Sequence, residues 1–75
     1  MGKAFILVNI ESGTEAKVAQ QLKKINGVSE VCFIYGNYDF LVRVEANSLD
    51  AVKYCVANIR RLDDVKSTLT MTVVE

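Results

Sequence analysis

Histidine is absent from this 75-residue chain, and with it go the commonest general base and the commonest metal ligand. Cysteine is scarce. Cys32 and Cys55 lie far apart, in apolar surroundings and outside any C-x-x-C pattern, so they read as small buried hydrophobes rather than as a disulfide framework or metal site. The four glycines, Gly2, Gly13, Gly27 and Gly36, are scattered, which excludes a phosphate-cradling glycine loop. Charge of one sign is missing too. Nine basic and nine acidic residues give a formal net charge of zero, and the longest basic runs are Lys23-Lys24 and Arg60-Arg61. Nucleic acid and anionic membrane both require a concentrated positive footprint, so neither is expected as a direct partner. No apolar stretch approaches transmembrane length, and Met1-Gly2-Lys3 leads into a strand-like run without a signal peptide. The expectation is a cytoplasmic protein with no metal and no cofactor.

What is present is apolar: 51% of the residues, in a chain long enough for one domain, 1–75. A domain this small buries only roughly 60–65% of its unfolded surface, so its core is thin. Without disulfides or metal, oligomerisation is the remaining means of stabilising it.

Ala4-Phe5-Ile6-Leu7-Val8-Asn9-Ile10 is apolar at odd and even positions alike until Asn9. A strand with one wet face would alternate, so this one is predicted to be central and covered on both sides. Ser12-Gly13-Thr14-Glu15 supplies helix-start chemistry, with capping-box spacing between Ser12 and Glu15 and Thr14 as the other candidate cap. The helix runs to about Lys24, with Val18, Ala19, Leu22 and Ile25 on one face, and Asn26-Gly27 stops it, Gly27 suiting the left-handed position after the helix. Asn47 or Ser48 opens a second helix reaching about Arg61, with Leu49, Val52, Val56 and Ile59 as its apolar stripe. In the last strand, residues 66–74, Leu69, Met71 and Val73 alternate with Thr68, Thr70 and Thr72, which reads as an edge strand with the apolar set buried.

Between the helices, Val31-Cys32-Phe33-Ile34 and Phe40-Leu41-Val42-Arg43-Val44 flank Tyr35-Gly36-Asn37-Tyr38-Asp39. Two β-rich runs joined by so short a turn form an antiparallel hairpin, with Gly36 and Asn37 tolerating positive φ. The element order is β-α-β-β-α-β. The predicted fold is therefore α+β, a ferredoxin-like sandwich of four antiparallel strands with two helices on one face. The uncovered face would carry an apolar strip from the first strand, edged by the polar third strand and the Thr-bearing last one. Such a strip invites sheet-to-sheet dimerisation.

Tyr38 beside Asp39 singles out the hairpin turn. An exposed aromatic there suits a binding site, while Tyr38 as a lid on the sheet edge and Asp39 closing an Asx-turn is the purely structural alternative. Gly36, Asn37, Tyr38 and Asp39, with Ser67, Thr68 and Thr70 of the last strand, offer amides, hydroxyls and one carboxylate. That set suits a zwitterion such as an amino acid. An enzyme would have to work with Asp39, Glu45 or Tyr38 alone.

Phe5-Ile6-Leu7-Val8, Ile25-Asn26-Gly27-Val28, Tyr35-Gly36-Asn37-Tyr38-Asp39-Phe40-Leu41-Val42-Arg43-Val44 and Val65-Lys66-Ser67-Thr68-Leu69-Thr70 together resemble the effector-binding (RAM) domain of Lrp/AsnC transcription regulators. The Gly-x-Tyr-Asp hairpin joined to the Val-x-x-Thr-x-Thr strand is the specific combination. The resemblance implies an α/β sandwich that dimerises through its sheets and assembles into rings, octamers or decamers, with amino-acid effectors at dimer–dimer contacts. It places Gly36, Tyr38 and Asp39, then Asn37, Ser67, Thr68 and Thr70, in the effector pocket. Family regulators carry a helix-turn-helix before this domain, and here the first strand begins within a few residues of Met1. The implied role is indirect control of transcription through a partner such as a full-length regulator. A small ferredoxin-like enzyme and an ACT-like regulatory subunit of a biosynthetic enzyme are the other two readings.

Overall fold

In a computed structural model of the chain, residues 2–74 are described; Met1 and Glu75, the ends of the single domain expected over 1–75, lie outside them. The elements run β1 Gly2–Ile10, α1 Glu15–Lys23, β2 Val28–Phe33, β3 Phe40–Ala46, α2 Leu49–Arg60 and β4 Val65–Thr72. The strands form one antiparallel sheet in the order β2-β3-β1-β4, so β1 and β3 are central as expected.

The register of β1 explains its unbroken apolar run. Ala4, Ile6 and Val8 pair with Val44, Val42 and Phe40 of β3 and are fully buried beneath the helices. Val18, Ala19 and Leu22 of α1 and Val52, Cys55 and Ile59 of α2 close this core from above. Phe5 and Leu7 point to the other side of the sheet, where they are half-buried by their strand neighbours alone.

Both helices begin directly after a polar N-cap residue, by different chemistry. Ser48 caps α2, its hydroxyl accepting from the Ala51 N–H at 3.1 Å. On α1 the Ser12–Glu15 capping box is not formed. Thr14 holds the N-cap position, but its hydroxyl donates to the Glu11 carbonyl at 2.7 Å instead of accepting from the helix, which ties the turn rather than the first helical amides. Helix α1 ends at Lys23, with Lys24 as its C-cap, close to the expected end. Gly27 still takes positive φ (103°), in the turn into β2, where a Cβ would come within 3.1 Å of the Cys55 sulfur.

Strand β4 departs from its sequence reading. It is an edge strand, but Thr68, Thr70 and Thr72 pair with Val8, Ile6 and Ala4 and so lie on the helix side. Leu69 and Met71 pair with Leu7 and Phe5 and stand on the open face, 47% and 43% exposed. The apolar set is therefore not in the core, because the phase of an alternating strand is set by its register against β1 and not by its own sequence. Leu49, expected in the buried stripe of α2, is 50% exposed for a related reason: it sits at the start of the helix, above the β4 edge, where no further element covers it.

The open face is correspondingly richer than the strip expected. One ladder row, Cys32–Leu41–Leu7–Leu69, crosses all four strands, and Phe5 and Met71 continue it. Cys32 is thus a half-buried member of this face, whereas Cys55 is the core thiol. Burial pushes the Cys55 thiol pKa above its ordinary value. At one corner of the face Arg43 meets Glu45 at 2.9 Å and Glu30 at 3.8 Å, a polar margin to the apolar row.

Candidate functional site

The hairpin loop, residues 34–39, is six residues long and is closed by the Ile34 N–H donating to the Asp39 carbonyl at 3.1 Å. Gly36 takes φ 122° there, a conformation that needs glycine. Asn37 does not use positive φ; among the described residues only glycines do. The exposed ring of the loop is Tyr35 rather than Tyr38. Tyr38 is half-buried, while Tyr35 projects fully into solvent at 105% relative exposure.

Asp39 is the fixed point of the loop. Its N–H donates to the Val8 carbonyl at 2.9 Å, and its carboxylate Oδ2 accepts from the Ile10 N–H at 2.9 Å. It does not cap its own turn; it clamps the hairpin to the end of β1, 29 residues back along the chain. A carboxylate held by a backbone amide has one oxygen committed and its charge kept in place. The Asx-turn reading of this residue is replaced by a long-range bridge.

Asp39 lines a cavity of about 380 Å³ together with Glu15, Phe33, Ile34 and Tyr35. Gly36, Asn37 and Tyr38 are not among its lining residues. The residues of the last strand lie across β1 from this point. Asn9 pairs with Ser67 in register, and its Nδ2 donates to the Ser67 hydroxyl at 3.2 Å; Val8 pairs with both Phe40 and Thr68. The hairpin and the start of β4 therefore lie at the same end of the sheet, on either side of β1. They do not form one pocket within a single chain. Ser67 and Thr68 line a second concavity with Arg60, Val65 and Lys66, and Thr70 a third with α2. Ser67 and Thr68 also alternate across the sheet, Ser67 with Asn9 on the open face and Thr68 on the helix side.

Four residues of the hairpin cavity escaped the sequence reading: Glu15, Phe33, Ile34 and Tyr35. Tyr35 carried a usable signal, since an aromatic directly before the loop glycine has no strand neighbour to shelter it. Glu15 did not, because it arrives from α1. Phe33 stacks on Phe40 with ring centroids 4.6 Å apart yet stays 63% exposed, so it forms a wall rather than core. Among the described residues no group of three or more His, Cys, Asp or Glu is placed to hold a metal ion. No helix of the described residues is long and apolar enough to cross a membrane.

This fold and this hairpin match a known family. The model of the Lrp/AsnC ligand-binding domain matches residues 3–75. The chain belongs to that family. Among solved structures this ligand-binding domain is similar to FFRP-DM1, at 33% identity and TM-score 0.89, covering 99% of this chain and 100% of that one. It is equally similar to the hypothetical protein PHS023 from Pyrococcus horikoshii, at 33% identity and TM-score 0.87, covering 100% and 92%. The AsnC structure from E. coli shares the fold at 24% identity and TM-score 0.87, over 99% of this chain and 51% of that one. A curated relative of another kind is a homocitrate synthase of Sulfurisphaera tokodaii, 40% identical over 74 residues. The match takes in 97% of this chain, which spans only 16% of the synthase.

Proposed function

We propose that this Lrp/AsnC domain is a non-enzymatic amino-acid sensor that couples effector binding to assembly. An effector-binding regulatory role follows from the family; the amino acid as ligand is our reading of the site. The observation that carries it is Asp39, whose carboxylate is held by the Ile10 N–H at the lip of the hairpin cavity. A carboxylate so fixed is suited to the ammonium of an amino acid, and hydroxyls and amides of Ser67, Thr68, Thr70 and the Gly36–Asn37–Tyr38 turn to its carboxylate. Since one chain divides these groups among separate concavities, the complete pocket is assembled when chains meet, with the open face joining two copies and dimers joining into a ring. The zero net charge supports a role without direct nucleic-acid contact, so that control of transcription runs through a full-length Lrp/AsnC partner. Titration calorimetry with each of the twenty amino acids tests the reading: saturable binding of at least one is expected, and no binding by any would overturn it.

The 40% identity to a segment of a homocitrate synthase favours one second reading, a regulatory module of a biosynthetic enzyme. The two part on the partner. Adding the chain should change DNA binding by a full-length regulator in the first case, and the amino-acid sensitivity of the synthase in the second.

A further inference from the structure

We propose that the trough between α2 and β4 binds a small amphipathic anion, its head at Arg60 and Lys66 and its apolar chain running toward Leu49. Leu49, Lys53, Val56 and Arg60 recur at i, i+4, i+7 and i+11 and so share one stripe of α2. That stripe faces Thr70 and Thr72 of β4 across a cavity of about 300 Å³, with Val52 buried at its floor. The cavity exists because β4 is the last strand of the sheet and carries threonines on its helix side. Thr70 and Thr72 stay exposed there, and Leu49 stands half in solvent at one end. A concavity of this size, mostly apolar with a few polar groups, is what small ligands occupy.

Charge selects the occupant. Lys53 and Arg60 line the trough, and Arg60 also lines the adjoining concavity of about 330 Å³ with Lys66 and Thr68. No carboxylate lines either one. Among the described residues, none of these three cations takes part in an ion pair. The hairpin cavity is the opposite case: it holds Glu15 and Asp39, no cation, and no residue in common with the trough. Lys66 reaches its place through an irregularity. Asn9 pairs with Ser67 but Ile10 with Val65, so Lys66 is the extra residue of a bulge at the start of β4. A bulge re-aims the side chain it carries, and this one sets a second cation beside Arg60. The groove is therefore basic at one end and apolar at the other, with about 16 Å of helix between Leu49 and Arg60. A carboxylate or phosphate head is met by the Arg60 guanidinium and the Lys66 ammonium. The attached chain covers Val56 and Leu49, and the aliphatic stem of Lys53 lies along it. Neither a bare anion nor a neutral hydrocarbon satisfies both ends.

Octanoate and octyl phosphate are the probes, used below their micellar concentrations and read by calorimetry. Both are expected to bind saturably and more tightly than octan-1-ol, which lacks the charge, or acetate, which lacks the chain. Arg60→Gln should weaken both by about ten- to a hundred-fold, the range of a charge-assisted contact, and leave octan-1-ol unchanged. Ala57→Leu fills the trough with an apolar group and should abolish octanoate binding, whereas a merely sticky surface would bind octanoate at least as well. Octanoate binding by Arg60→Gln equal to that of wild type would overturn the site. So would equal affinity for octanoate and octan-1-ol, or binding to vesicles of anionic phospholipid without binding to the soluble probes. Should Ala57→Leu fail to fold, Arg60→Gln, a change at an exposed position, decides alone. Asp39→Asn alters the hairpin cavity and is expected to leave octanoate affinity unchanged, so this site stands or falls separately from the amino-acid reading.

Discussion

Strand β1 is apolar on both sides, yet its two sides do different work. Ala4, Ile6 and Val8 are sealed beneath two helices, whereas Phe5 and Leu7, one residue out of phase, face the open side with only strand neighbours around them. Burial on the first side is completed within the chain. On the second it is left to strand neighbours alone, and in the proposed assembly that is where a small domain gains further apolar burial. Adjacent residues of the same type are thus assigned to the core and to the open face by position alone.

The largest expected effect tests the sealed side. Ile6→Ala should cost about 2–5 kcal/mol, read from urea unfolding, because helices and sheet cannot collapse fully into the space left. Val8→Lys should abolish folding. Leu7→Lys, by contrast, should keep native circular dichroism while cutting the assembly to units no larger than a dimer in sedimentation velocity. A Leu7→Lys variant that is folded and assembles as wild type would remove the distinction between the two sides.

Asp39 sharpens the comparison at the end of β1, where structure and site share one group. Asp39→Ala leaves the Ile10 N–H without its partner and should cost about 1–3 kcal/mol. Asp39→Asn keeps an oxygen for that N–H and should change stability little, while weakening a verified amino-acid ligand about ten- to a hundred-fold by calorimetry. Unchanged affinity in Asp39→Asn would make the residue a clamp and nothing more.

The smallest effect compares the two thiols, one from each side of the sheet. Cys32 on the open face should react with a thiol reagent first, and more slowly once chains assemble. Cys55 has a folded-state pKa raised by burial, so its contribution is fully present below the ordinary thiol range. It should be lost as pH climbs through the raised value, because the unfolded thiol ionises first. Urea midpoints on the alkaline side should therefore fall less steeply in Cys55→Ala than in the wild type.

Much of the fold was legible because its signals are local. The unbroken run from Ala4 to Val8 marked a central strand, Ser48 marked the start of α2, and Gly36 marked the hairpin. The candidate site was legible in part. Asp39 and the start of β4 lie at the same end of the sheet with β1 between them, but the partner of Asp39, the exposure of Tyr35 over Tyr38 and the presence of Glu15 depend on elements far apart in sequence.

Element order, the two-sided apolar character of β1 and the conformational need at Gly36 were determined by the sequence alone, since propensity, periodicity and positive φ act within a few residues. The phase of β4 was not. A strand of alternating Thr and Leu or Met fits a core in either of two phases, and a one-residue slip exchanges them. Only its register against β1, Thr70 on Ile6 and Leu69 on Leu7, sent the threonines to the helix side of the sheet and the apolar residues to its open face.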